Sequence, residues 1–91
     1  MKHELIGIVV DAKSKNDAHN KVRERLDNER NSRVIGEYFE YEIKEEDTIE
    51  FLNDVERANI IDDFRDEGLR TAALTDNTYG GYIVFVDKMY C

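Results

Sequence analysis

The fold is decided by the stretch LIGIVV, residues 5–10, the first apolar run of the chain. As a strand, it divides its apolar side chains between two faces, with Ile6, Ile8 and Val10 opposite Leu5 and Val9. The stretch YIVFV, residues 82–86, repeats this pattern. A strand that is apolar on both faces is normally central in its sheet. We therefore expect these two segments to form the middle of the sheet.

A helix is predicted directly after the first strand. Ser14 and Asp17 have the spacing of a capping box, and the pattern continues to about Glu29. Along it runs a narrow apolar stripe at intervals of four residues, consisting of Ala18, Val22 and Leu26. Such a stripe is suited to packing on a sheet.

Residues 34–44 alternate between apolar and polar side chains, which predicts a second strand. One face carries Ile35, Phe39, Tyr41 and Ile43, and the other carries Tyr38, Glu40 and Glu42. A strand with one solvent-exposed face is expected nearer the sheet edge. We expect Gly68 to stop a helix, residues 71–75 to form a short edge strand, and residues 76–81 to form a turn that leads into the last strand, 82–88.

The segment between Lys44 and Gly68 allows several interpretations. A helix that starts near Thr48 clusters Phe51, Leu52, Val55 and Ala58 on one side, and Ile60, Ile61 and Phe64 on roughly the opposite side. A break near Asn59 would return the second set to the domain, whereas an unbroken helix would leave it exposed. Alternatively, residues 48–52 are a strand and the helix begins after Asn53, with Glu56 three residues on.

These elements predict a single α+β domain over residues 1–91. A hairpin of 71–75 with 81–88 and a parallel crossover between the first two strands give a four-stranded mixed sheet. With the doubly apolar strands in the middle, the expected order is 2-1-4-3, with two helical segments on one face. If 48–52 is a strand, the alternative is a ferredoxin-like βαββαβ fold.

The net charge of the chain is concentrated in one segment. Residues 45–67 hold ten carboxylates and two arginines, a balance of −8, whereas the rest of the chain holds eleven acidic and eleven basic side chains. Such a block of charge can be simply the solvent-exposed face of a helix, with no functional role. A field concentrated on one element also steers a basic partner toward it. We expect a partner to be contacted by acidic and displaced apolar side chains: Asp54, Glu56, Ile60, Ile61, Asp62, Asp63, Phe64, Asp66 and Glu67.

Other chemistries have little support in the sequence. His3, His19 and Cys91 are far apart, without the paired spacings of metal sites, and both histidines are expected to be exposed. No nucleophile elbow surrounds any serine or threonine. We therefore expect no enzyme activity, cofactor or metal. The single cysteine excludes an intrachain disulfide.

Charge and hydropathy also limit the partners and the location. An acidic chain of pI near 4.7 lacks the positive surface that direct binding to nucleic acid or an anionic membrane requires. No apolar run approaches the ~20 residues of a membrane span. With a strand beginning close to Met1, no signal peptide is expected. These features favour a cytoplasmic protein.

The sequence favours a small acidic interaction module that docks a basic protein surface through residues 45–67. Proteins rich in lysine and arginine often bind nucleic acid, so the sharper hypothesis is an inhibitor of such a protein, of the kind found in phages and mobile elements. The alternative is a small-molecule-sensing regulatory module that dimerises, through its sheet edges or through residues 60–64. An accessory subunit whose acidity only maintains solubility is a third hypothesis.

Overall fold

The computed structural model describes residues 2–31, 39–73 and 80–90. It contains six elements in the order βαβαββ: β1 (Lys2–Val10), α1 (Lys15–Asn31), β2 (Phe39–Phe51), α2 (Asp54–Asp66), β3 (Arg70–Ala73) and β4 (Gly81–Tyr90). The expected strand residues 34–38 and the expected strand and turn residues 74–79 lie outside the described residues.

The four strands form one mixed sheet in the order β2-β4-β1-β3, which confirms the α+β class. The doubly apolar strands β1 and β4 are central, as expected. Their relative order is the reverse of the predicted 2-1-4-3, because β4 pairs antiparallel with both β1 and β2. The predicted hairpin between 71–75 and 81–88 is wrong, since β1 separates β3 from β4 and pairs with β3 in parallel. The element order also differs from the ferredoxin-like alternative.

The two helices pack on opposite faces of the sheet, and the prediction that both lie on one face is wrong. One core cluster joins α1 to Ile8 and Val84, and the other joins α2 to Val9 and Ile83. Neighbouring residues of a strand point to opposite faces, so these clusters lie on opposite sides. The chain crosses from β1 to β2 in one direction and from β2 to β3 in the other. Two crossovers of the same hand that run in opposite directions must use opposite faces.

Helix α1 forms as the sequence predicts. The Ser14 hydroxyl accepts a hydrogen bond from the Asp17 amide at 3.1 Å, and the Asp17 carboxylate accepts one from the Lys13 amide at 3.1 Å. These bonds satisfy backbone donors at the start of the helix. The apolar stripe of Ala18, Val22 and Leu26 is fully buried against the sheet.

Strand β2 extends through Phe51, so the predicted helix start near Thr48 is wrong. Helix α2 begins at Asp54, with Asn53 as its N-cap: the Asn53 side chain accepts a hydrogen bond from the Glu56 amide at 2.9 Å. The helix ends at Asp66, with Glu67 as its C-cap, and Gly68 follows with a φ of 83°, which is favourable for glycine. There the Leu69 amide donates to the Phe64 carbonyl at 2.9 Å, which closes the last turn.

Helix α2 is continuous through Asn59, so the predicted break is absent. The expectation that an unbroken helix would expose Ile60, Ile61 and Phe64 is also wrong, because these side chains pack against the sheet. The other predicted set is the one that separates from the core. Phe51 is buried in β2, whereas Leu52 and Val55 are 67% and 70% exposed.

The short edge strand β3 is joined to β1 by a charged pair. The Arg70 guanidinium donates a 2.7 Å hydrogen bond to the Glu4 carboxylate, which also accepts one from the Tyr90 hydroxyl at 3.1 Å. The hydrogen bond from Arg70 holds the pKa of Glu4 below its ordinary value, although partial burial opposes this shift. Glu4 thus joins β1 to its neighbours on both sides.

Candidate docking surface

The carboxylates of residues 45–67 differ in how they are used. Glu45 forms an ion pair with Arg23 of α1 at 2.6 Å, and Glu56 accepts a hydrogen bond from the Leu52 amide at 3.1 Å. Asp54 and Glu56 occupy the first turn of α2, where the positive end of the helix dipole stabilises them. These three carboxylates therefore support the fold.

The carboxylates at the other end of α2 have no such role. Asp62, Asp63, Asp66 and Glu67 are all exposed. One of them, Asp62, lies 4.0 Å from the exposed Arg65, a surface pair that contributes little. The other three form no ion pair with any described residue. We call these four residues the acidic end of α2.

The acidic end is unfavourable for the helix that carries it. The C-terminus of a helix has a partial negative charge, which repels carboxylates in the last turns. Asp62 and Asp66 are also spaced i, i+4, as are Asp63 and Glu67, and like charges at this spacing repel each other. Charges that oppose local stability in this way are typical of functional surfaces.

Two exposed apolar residues, Leu52 and Val55, lie near the start of α2, on the outward side that also carries part of the acidic end. At 100° per residue, Val55 shares this side with Asp62 and Asp66, directly opposite the residues that face the sheet. Leu52 precedes the N-cap residue Asn53 and is similarly exposed. The outward side therefore combines apolar contact area near its start with negative charge near its end.

The three predicted apolar contact residues lie on the inward side of the same helix. Ile60, Ile61 and Phe64 are half-buried, and the Phe64 ring meets the Phe85 ring edge-on at 5.0 Å between centroids. Such an aromatic pair contributes to packing beyond its buried area. These residues therefore hold α2 on the sheet, and Leu52 and Val55 are more accessible to a partner.

Helix α2 leaves part of its face of the sheet uncovered, and a groove of about 310 Å³ lies there. Its lining consists of Leu5, Asp47, Ile49, Phe64 and Phe85. The groove is thus apolar with one carboxylate.

Asp47 reaches this groove because β2 contains a large bulge. Lys44 pairs with Phe85 and Ile49 with Ile83, so residues 45–48 all stand opposite Val84. On the α1 side, Thr48 forms a buried 2.8 Å hydrogen bond with His19, which is 7% exposed rather than exposed as predicted. This bond and the ion pair of Glu45 fix the bulge on both sides of Asp47.

Sequence reasoning missed both the bulge and the groove. A signal for the bulge exists in the five consecutive polar residues 44–48, which interrupt the apolar alternation of β2. Bulges are common where a strand must redirect a side chain. The groove has no such signal, because Leu5 and Phe64 are far apart in the chain.

The described residues give no indication of metal or membrane chemistry. Within residues 2–31, 39–73 and 80–90, no group of three or more His, Cys, Asp or Glu is placed to hold a metal ion. His3 is exposed and lies 3.2 Å from Asp87. None of the helices in this part of the chain combines the length and apolar character needed to span a membrane. Comparison of the chain with protein-family models, curated proteins and solved structures finds no match.

Proposed function

We propose that this protein is a non-enzymatic interaction module that docks a basic protein through the outward side of α2. The observation that carries the proposal is the acidic end of α2, whose carboxylates are exposed and act against the stability of their own helix. Lysine and arginine side chains of a partner would compensate this charge. Leu52 and Val55 would add apolar contact area beside it, where hot-spot residues supply most of the affinity.

The charge density of the acidic end favours a partner that binds nucleic acid. Four carboxylates and one arginine between Asp62 and Glu67 leave a net charge of −3. Over a rise of about 7.5 Å, this is one charge per ~2.5 Å. One strand of DNA carries one charge per ~3.4 Å, and the duplex one per ~1.7 Å. The acidic end would therefore compete for a phosphate-binding surface, as an inhibitor does.

The test compares two exposed helical carboxylates that change the net charge equally. Asp66→Lys alters the acidic end, whereas Glu24→Lys alters the exposed side of α1. Each variant is used for affinity capture from the native host. We expect a basic protein that is retained by the wild type and by Glu24→Lys, depleted with Asp66→Lys, and released by salt.

Nucleic acid added during capture tests the inhibitor hypothesis, because it should displace the captured protein. Equal retention of the protein by both variants would place the binding surface elsewhere. Retention that salt does not weaken would favour the alternative, a regulatory module that dimerises or binds a small apolar molecule. That alternative stays a prediction, and light scattering of the isolated protein measures its dimerisation.

A further inference from the structure

The groove beside α2 combines apolar walls with one carboxylate, a combination that the acidic end of α2 does not have. The Phe64 and Phe85 rings form one wall, and Leu5 and Ile49 extend the apolar lining. Leu5 is 40% exposed, so its side chain remains accessible at the groove. A ligand that fits this lining must have an apolar portion.

Asp47 supplies the polar specificity of the groove. Its carboxylate has no hydrogen bond or ion pair with any described residue, in contrast to Glu45, which is paired with Arg23 two positions before it. The bulge that carries Asp47 is fixed by the buried contact of Thr48 with His19. The groove therefore presents an available negative charge at a defined place.

An arginine side chain matches both features. Its aliphatic stem can lie along apolar residues while the charged head remains hydrated. Its planar guanidinium packs on aromatic rings and forms paired hydrogen bonds with a carboxylate. Lysine carries the same charge but lacks the planar fork, so it would use Asp47 less well.

We propose that the groove takes an arginine side chain of the basic partner, an inference that rests on the function proposed above. Of the acidic end, Glu67 comes nearest to the groove, because it follows Phe64 by three residues, directly after α2, whereas Asp62 and Asp66 face outward. A basic segment that contacts the acidic end can therefore place one arginine beside Asp47. The acidic end attracts any basic chain, and the groove selects arginine over lysine.

The test uses arginine and lysine homopeptides of equal length as probes, with binding measured by calorimetry. Asp47→Asn removes the charge in the groove, and Glu46→Gln is the matched control in the same bulge. We expect the wild type and Glu46→Gln to prefer the arginine peptide, and Asp47→Asn to lose about tenfold or more in affinity for it. Amide NMR shifts at Ile49 and Phe64 should accompany binding of the arginine peptide.

A preference for arginine that survives Asp47→Asn would overturn the groove assignment and leave the docking surface intact. The double variant Asp62→Asn, Asp66→Asn should weaken both peptides equally. If it weakens neither, while Asp47→Asn still abolishes the preference, the groove assignment holds and the acidic end is not the docking surface. Binding of neither peptide would overturn both proposals. Concentration-dependent shifts at Leu5 and Phe64 without peptide would assign the groove to a second copy and overturn the inference.

Discussion

Replacing Asp66 by lysine should make the protein more stable while it weakens partner binding. Asp66 lies in the last turn of α2, four residues after Asp62, and is exposed. Removing an anion from this end of the helix relieves about 0.3–1 kcal/mol of unfavourable dipole interaction, and the new cation gains a similar amount. Relief of the repulsion with Asp62 adds about 0.2–0.5 kcal/mol. Together these contributions predict a gain of about 1–2.5 kcal/mol in the free energy of unfolding.

For a domain of this size, each gain of about 1 kcal/mol raises the melting temperature by roughly 4–8 °C. Thermal unfolding followed by circular dichroism measures this shift for Asp66→Lys, with Glu24→Lys as the control for the change in net charge. The gain should shrink at about 1 M salt, where the screening length falls to ~3 Å. A melting temperature that falls, or that rises equally in the control, would refute the reasoning. Such a result would mean that the Asp66 carboxylate stabilises the folded protein.

Three further predictions concern the packing, the bulge and the edge strand. Phe64→Ala should lower the free energy of unfolding, measured in urea, by about 2 kcal/mol, because it leaves a cavity on the sheet. Val55→Ala should change it by less than about 0.5 kcal/mol. Similar losses in the two variants would contradict the assigned sides of α2. Thr48→Ala should destabilise by about 1–3 kcal/mol, because His19 loses its buried partner, and a double-mutant cycle with His19→Ala that shows no coupling would exclude this bond. The pKa of Glu4 is lower in the folded state than in the unfolded state. Ionised Glu4 therefore stabilises the fold above its unfolded-state pKa, and this stabilisation is lost as the pH falls through its folded-state pKa. The difference in melting temperature between wild type and Glu4→Gln should therefore shrink on acidification. A difference that is constant with pH would exclude a stabilising role for the ionised Glu4 carboxylate.

The central position of β1 and β4 could be predicted from the sequence, but their relative order could not. Both strands are apolar on both faces, so either arrangement buries the same side chains. The placement of the two helices on opposite faces could also be predicted. With β3 parallel to β2, the two crossovers run in opposite directions in the expected order as well, and the handedness rule then requires opposite faces.

The orientation of α2 shows where periodicity misleads. Phe51 continues the apolar pattern of Leu52 and Val55 at helical spacing, which favours an earlier helix start. The Asn53–Glu56 capping pair marks the true start, and it was visible as an alternative. Once Phe51 belongs to β2, the inward side of the helix is free for Ile60 and the residues that follow it.

The bulge limits how far the site could be predicted. Ile43 and Ile49 are both odd-numbered, so an uninterrupted strand would place them on the same face. Residues 45–48 add three positions relative to β4, and the two side chains therefore belong to different clusters. Alternation alone cannot reveal such an insertion. The groove, which depends on it, could not be predicted.

The central place of β4 determines when this chain can fold during its synthesis. Before β4 emerges from the ribosome, β2 has no neighbour in the sheet and β1 has the short β3 alone. The strand that unites them is the last of the six elements, so nearly all strand pairing joins distant parts of the chain. Pairing between distant segments slows folding, because long loops must close first. We expect the nascent chain to remain unfolded, and available to chaperones or to a partner, until residue 90 has been released.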